Sequence, residues 1–175
     1  MPRVFTVAAV VVSKSTGKAF EKQMTDAFRR AYPTAWLHRN TDAVFGTNMS
    51  AKSAPDFEVV AEKFLLLCEC KAFKGTSIAF DRLAEHQKED LLAYEKTRWD
   101  TYGAIAILNY NGLLGKARVY DAWLVPVLEW CSLEYGSGRK SVPVDTLRGY
   151  FSPWHMPWIP GTGFDVSHAV KNLAR

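Results

Sequence analysis

Cysteine is scarce in this 175-residue chain, and histidine is scattered. There are three cysteines, Cys68, Cys70 and Cys131, and four histidines that fall singly. No CxxC pair is present, which argues against a structural zinc site, and three cysteines make no disulfide framework. Cys68 and Cys70 are two apart in a strand-like run, so they point the same way and are poorly placed to bridge. Reduced thiols in a cytoplasmic protein are the plain reading. Long apolar runs are missing too. The run Val4–Val12 is far too short to span a bilayer. Only Arg3 precedes it as a basic residue, and no clear small-residue cleavage site follows. It reads as a β-branched strand rather than a signal peptide. The Asn48-Met49-Ser50 sequon then carries no meaning. There is no repeat, no low-complexity tract and no convincing linker, so residues 1–175 read as one domain. The net charge of +4 is a mild pointer to a polyanionic partner.

What is present is a succession of amphipathic segments. Phe20, Met24, Ala27, Phe28 and Ala31 recur at helical spacing, which predicts a helix from about Lys18 to Tyr32, with Thr16 as N-cap and Pro33 as stop. Trp36–Arg39 reads as a short strand. Residues 40–55 are polar and contain Gly, Ser and Asn, so they form a loop or arm. A hairpin is expected next, with strands Phe57–Val60 and Phe64–Lys71 about a turn at residues 61–63. Five consecutive apolar residues, Phe64–Cys68, predict burial on both faces of the second strand. A helix is expected over Asp81–Thr97, strands over Ala104–Asn109 and Ala117–Trp123, and a helix over Val125–Glu134. Gly136–Lys140 is a loop. Four prolines and many aromatics between Tyr150 and Phe164 exclude a regular helix there, and residues 150–175 are expected to form an irregular tail. The order of elements predicts a mixed α/β domain, a central sheet flanked by helices.

Chemistry concentrates near the end of the apolar strand. Glu69 and Lys71 are two apart, so they share one face with Leu67 and Leu65. An acid and an amine there are costly to bury unless paired or metal-bound. Folding the hairpin brings Asp56 beside the C-terminal end of the second strand, so two carboxylates and a lysine converge. Phosphodiester hydrolysis uses such a set. Two carboxylates supply hard oxygen ligands for Mg²⁺, the metal activates water and polarises phosphate, and an ammonium stabilises charge at phosphorus. The plain alternative is an exposed Glu–Lys pair of little consequence. Gln87 weighs against that alternative. Leu83, Gln87 and Leu91 lie four apart on one helix face, so the glutamine turns inward and its amide needs a partner. A metal-bound water or the metal would serve, as would an ordinary core hydrogen bond. Glu21, next to Phe20 at the rim of the first helix's apolar face, is a further candidate acid, or a solvated helix glutamate.

These pieces in this order resemble the PD-(D/E)xK nuclease superfamily, and within it the RecU-type Holliday junction resolvases. Pro55-Asp56 and Glu69-Cys70-Lys71 look like the superfamily signature. Glu85-His86-Gln87 is similar to the family's His-Gln pair on the following helix, and Gly138-Arg139-Lys140-Ser141 to a Gly-Arg-Lys-Ser run before the C-terminal segment. Gly17 and Glu21 suit the family's first helix. The resemblance spans roughly residues 15–150 and implies a restriction-endonuclease-like mixed central β-sheet. It implies a homodimer that resolves four-way DNA junctions by paired symmetric nicks, with Mg²⁺ as cofactor and Mn²⁺ able to substitute. Asp56, Glu69 and Gln87 would bind the metal directly or through water, and Lys71 and Glu21 would be catalytic. Two departures stand out. Ala54 occupies a place where the family often has a hydroxyl residue, and residues 40–55 are too few for the family's full stalk, so they make a shortened stalk or arm. The Val4–Val12 strand has no counterpart in the family pattern.

Lys14, Lys18, Arg39, Lys52, Lys74, Arg82, Arg139 and Lys140 flank the candidate site in sequence, as a phosphate-tracking surface requires. Each alone reads as a solvated charge. The cluster Trp154-His155-Met156-Pro157-Trp158 could stack on unpaired bases or pack against the core or a dimer partner. Two other readings compete with a junction resolvase: a repair or restriction nuclease of the same fold, and a non-catalytic DNA-binding module. Intact Asp56, Glu69 and Lys71 argue against the last, since a pure binder needs none of them.

Overall fold

The structure, a computed structural model, describes residues 16–40, 54–110, 113–114, 117–118 and 121–173. The expected Val4–Val12 strand, most of the 40–55 arm, Lys14 and Lys52 lie outside these residues. Helix α1 (Thr16–Ala31) is followed by β1 (Trp36–Arg39), β2 (Phe57–Val60), β3 (Leu65–Phe73) and β4 (Ser77–Ala79). Then come α2 (Glu85–Glu95), β5 (Thr101–Asn109), β6 (Leu113–Leu114), β7 (Ala117–Arg118) and β8 (Asp121–Pro126). Helix α3 (Val127–Ser137), β9 (Ser141–Pro143), α4 (Val144–Tyr150), β10 (Trp158–Ile159), β11 (Gly163–Phe164) and α5 (Ser167–Leu173) complete the chain. The main sheet has the order β1-β2-β3-β5-β8. All its pairs are antiparallel except β3 with β5, which run parallel across the α2 crossover. The fold is therefore mixed α/β, a central mixed sheet flanked by helices, as the order of elements in the sequence led one to expect.

Helix α1 forms because Phe20, Met24, Ala27 and Phe28 make one buried stripe. It ends where expected, since Pro33 disfavours helical geometry at the residue before it. The hairpin closes through Ala61 N–H donating to the Phe64 carbonyl at 2.9 Å, which sets Phe57 opposite Cys68. The apolar run of β3 divides between two cores. Leu66 and Cys68 join Phe20, Met24 and Phe28 on the α1 side. Leu67 packs on the α2 side, against a cluster that includes Leu91, Ile105 and Trp130. Helix α2 lies close on β5 at Gly103, where a methyl group would collide with the Leu91 carbonyl.

Several expected boundaries move. The Asp81–Thr97 helix divides: Phe80–Arg82 is a 3₁₀ turn, Leu83 and Ala84 are extended, and α2 starts only at Glu85. The expected strand at Ala117–Trp123 and helix at Val125–Glu134 are corrected to β8 and α3. Val125 pairs with Ile105 in the sheet, and the helix starts after Pro126, whose fixed φ and missing N–H suit the step from strand to helix. Helix α3 ends at Gly138, which adopts the left-handed conformation (φ 61°) that glycine tolerates. The expected irregular tail is corrected: it carries the short antiparallel β10–β11 pair and closes with α5. Asp165 accepts a hydrogen bond from Ser167 N–H at 2.9 Å there, and Val166, Ala169, Val170 and Leu173 are buried at helical spacing. In the aromatic cluster, Met156 is fully buried and Trp154 Nε1 donates to the Asn172 carbonyl at 3.0 Å, so its packing role prevails. All three cysteines are free. Among the described residues no helix is long and apolar enough to cross a membrane.

Candidate active site

Asp56 sits just ahead of β2, and the pairing of Phe57 with Cys68 sets it against β3. Its Oδ2 accepts the Cys70 main-chain N–H at 2.7 Å. Phe57 and Val59 point into the α1-side core. By strand alternation Asp56 and Glu58 face the other way, toward α2. That is the face of Glu69 and Lys71. The expected convergence of the two carboxylates and the lysine is thus present in the geometry.

Gln87 completes the set. Its amide nitrogen donates to Glu69 Oε1 at 2.7 Å. Its carbonyl oxygen accepts Lys71 Nζ at 3.0 Å and the Ala84 N–H at 3.1 Å. Lys71 Nζ also donates to Glu69 Oε1 at 2.7 Å. Gln87 therefore has three jobs in one side chain: it caps the first turn of α2, holds Glu69 and carries Lys71. With both lone pairs of its oxygen engaged, it braces the site. The extended Leu83-Ala84 step is what sets Gln87 in the helix's first turn, where its side chain can reach back to the Ala84 N–H.

Among solved structures the chain is similar to one from Archaeoglobus fulgidus. That protein is Hjc, described as a Holliday junction resolvase from an archaeal hyperthermophile. The two share 16% identity with a TM-score of 0.44, over 66% of this chain and 75% of the other. No family model matches the chain, and no curated protein matches it.

The electrostatics at Asp56 are those of a crowded acidic site. Its carboxyl is pushed up from 3.8 to about 6, first by burial and then by the charge of Glu69. The Cys70 N–H opposes this, Glu21 adds to it, and Lys71 opposes it. Glu69 is only 4% exposed, and its Oε2 is buried with no hydrogen-bond partner. A buried, unsatisfied carboxylate oxygen next to a second carboxylate that resists ionisation is a place short of positive charge. Two oxygen donors of this kind match a hard divalent cation. Among the described residues no group of three His, Cys, Asp or Glu side chains could hold a metal ion. The donors at hand are therefore the two carboxylates.

Glu21 stands within electrostatic reach of Asp56, but its carboxylate is taken by Arg39, whose Nε donates to Oε1 at 2.8 Å and whose Nη2 forms an ion pair with the same oxygen. Arg39, expected on the phosphate-binding surface, is thus tied to Glu21. The other basic candidates divide. Lys18 is exposed on α1. Lys74, Arg82, Arg139 and Lys140 are exposed and gather beyond the end of β3. Arg82 donates to the Ala72 carbonyl at 3.0 Å, and the β4–β9 ribbon, with Phe80 N–H on the Lys140 carbonyl at 3.0 Å, brings the 138–141 loop alongside. None of these four shares an ion pair with another described residue. Ala54 is exposed and offers no donor oxygen from its side chain.

Sequence reasoning passed over Glu58. It shares the inner face with Asp56, and its Oε1 accepts the Tyr94 hydroxyl of α2 at 2.5 Å. Period-two spacing from Asp56 would have placed it there. The donation from Cys70 N–H to Asp56 had no signal in the sequence, because a main-chain donor is indifferent to side-chain identity.

Proposed function

We propose that this chain is a metal-dependent DNA endonuclease that cuts branched DNA, with the four-way junction as its first substrate to test. The observation that supports the chemistry is the buried pair Asp56 and Glu69, with an unpartnered Glu69 oxygen and the Lys71 ammonium braced by Gln87 at the same point. Asp56 and Glu69 would hold Mg²⁺, or Mn²⁺ in its place. When bound, such an ion polarises the phosphoryl oxygens and lowers the pKa of a bound water. Lys71 supplies a fixed positive charge for the negative charge that develops at phosphorus. Gln87 keeps Glu69 and Lys71 in register, directly or with a water, and Glu21 contributes once Arg39 turns to a phosphate. The exposed cations beyond β3 would track the backbone. The junction as substrate rests on the sequence resemblance to RecU-type resolvases, which also supports paired symmetric nicks by a homodimer.

The test is cleavage of synthetic four-way junctions, duplex, flap and single strands in Mg²⁺, with mass measured by light scattering. The wild type should cut the junction as a dimer. Glu69→Gln should lose a hundredfold or more in rate while still binding the junction, the scale of losing one preorganised electrostatic group. Full activity of Glu69→Gln, or no cleavage of any DNA by the wild type, would sink the proposal.

A further inference from the structure

A pair of stacked rings lies on the active-site face of the sheet and takes no part in the chemistry above. Trp36 and His38 are two apart on β1, which among the described residues is an edge strand of the sheet. Their ring centroids are 5.3 Å apart and their planes differ by 3°. Trp36 is 55% exposed. Leu37, between them, packs against the α1-side core. The two rings therefore stand on the opposite face, where His38 is the cross-strand neighbour of Glu58 and Trp36 of Val60. Strand β1 leads from these rings straight to the site. Two residues beyond His38, the Asn40 N–H donates to the Asp56 carbonyl at 2.9 Å and Asn40 Nδ2 to the Pro55 carbonyl at 2.6 Å. At about 3.4 Å per residue, Trp36 lies roughly 14 Å along the sheet from Asp56 and His38 roughly half that.

A flat, exposed aromatic on an edge strand is a liability in a chain that has no use for it, since edges template unwanted pairing. Here two rings have been laid parallel, with the larger one open. A second flat π-face is what such a surface accepts, and stacking of this kind is indifferent to base identity. A paired base has both faces covered by its neighbours, so only an unpaired base can reach it. Resting on the nuclease reading above, we propose that Trp36 and His38 form a stacking shelf for an unpaired nucleobase of the strand that is cut at Asp56 and Glu69. The enzyme's preference for branched over linear DNA then arises partly on this chain's own β1, from bases that a branch leaves unstacked.

The experiment compares binding of two single-stranded 12-mers of equal charge, one of adenines and one abasic throughout, together with a paired duplex. Fluorescence anisotropy is read in EDTA, so cleavage plays no part. The wild type should prefer the adenine strand. Trp36→Ala should weaken adenine-strand binding about tenfold, in line with the loss of one base–aromatic stack. It should leave the abasic strand and the duplex unchanged. Trp36→Phe should keep most of the preference. An unaltered preference in Trp36→Ala, or an equal loss on both strands, overturns the proposal. So does a shift of Trp36→Ala from dimer to monomer with its preference intact, which would mean that a second copy of the chain covers the shelf. If the base preference behaves as stated while the wild type cuts nothing in Mg²⁺, the shelf stands and the nuclease reading fails. If the wild type cuts and the preference ignores Trp36, only the shelf fails.

Discussion

Replacing Asp56 by asparagine should make the metal-free protein more stable, and by an amount that depends on pH. The Asp56 carboxyl titrates at about 6 in the fold, against 3.8 in the unfolded chain. Between those values the folded state holds a proton that the unfolded state has released. The folded state therefore binds more protons, and stability falls as pH rises through this window. Below pH 3.8 the penalty is absent; above about 6 it is fully present. Moving the ionisation from 3.8 to about 6 corresponds to about 3 kcal/mol. Asparagine keeps the shape and can still accept the Cys70 N–H, but carries no charge. The stability gap between Asp56→Asn and wild type should therefore widen by up to about 3 kcal/mol from pH 3.5 to pH 7.5. For a chain of this length that is a difference in Tm of roughly 6–12 °C. Thermal unfolding followed by circular dichroism in EDTA across that range reads it directly. Adding Mg²⁺ at about a hundred times its Kd should stabilise the wild type by about 2.7 kcal/mol and the variant far less, because the ion needs the ionised carboxylate. A gap that stays flat with pH would refute the reasoning, because burial and Glu69 would then not be acting on Asp56 as described.

Gln87→Ala should do two kinds of damage: an uncapped Ala84 N–H lowers stability by about 1 kcal/mol, and an unbraced Lys71 lowers kcat at least tenfold with little change in KM, checked by urea unfolding and steady-state cleavage. Gln87→Glu keeps a capping oxygen but sets a third carboxylate against buried Glu69 in place of an N–H donor, so it should recover neither the stability at neutral pH nor the rate. Removing Arg139 and Lys140 together should weaken DNA binding of every structure alike and flatten the slope of log affinity against log salt by about two, measured by anisotropy at several salt concentrations. Replacing residues 44–52 by a Gly/Ser linker should leave metal binding intact and reduce the ratio of junction to duplex affinity, and an unchanged ratio would reduce the arm to a connector.

The parts legible in the sequence were those where one physical rule dominates. The α1 stripe, the Phe57–Val60 strand and the doubly buried run after Phe64 each follow from periodicity, and together they imply that Asp56 meets Glu69. Gln87 was legible as an inward-facing polar residue, yet its role was not. That depends on α2 starting at Glu85, and the start depends on the extended step at Leu83 and Ala84, which no capping residue announces. The β8–α3 boundary was misplaced because Val125 suits strand and helix equally. The sheet partner Ile105 decides it, and a partner 20 residues away leaves no local trace. Helix α5 was hidden by the prolines before it, although Val166, Ala169, Val170 and Leu173 already carried the helical spacing. The Arg39–Glu21 pair joins residues 18 apart in sequence on different elements, so each looked like an independent surface charge.

Gly103 acts as a depth gauge for the site. The absence of a side chain there lets α2 settle so close to β5 that the Leu91 carbonyl takes the space a methyl group would need. One turn earlier on the same helix, Gln87 grips Glu69 and Lys71; one turn later, Tyr94 grips Glu58. The seating of a helix on a sheet, at a residue that touches no reacting group, thus sets how far two side chains can reach into the chemistry. Lifting α2 by the thickness of a methyl group would leave both grips stretched while Asp56, held by Cys70 of β3 and by Asn40, stayed in place. The two carboxylates would lose their shared reference frame, and the fold would conceal the fault.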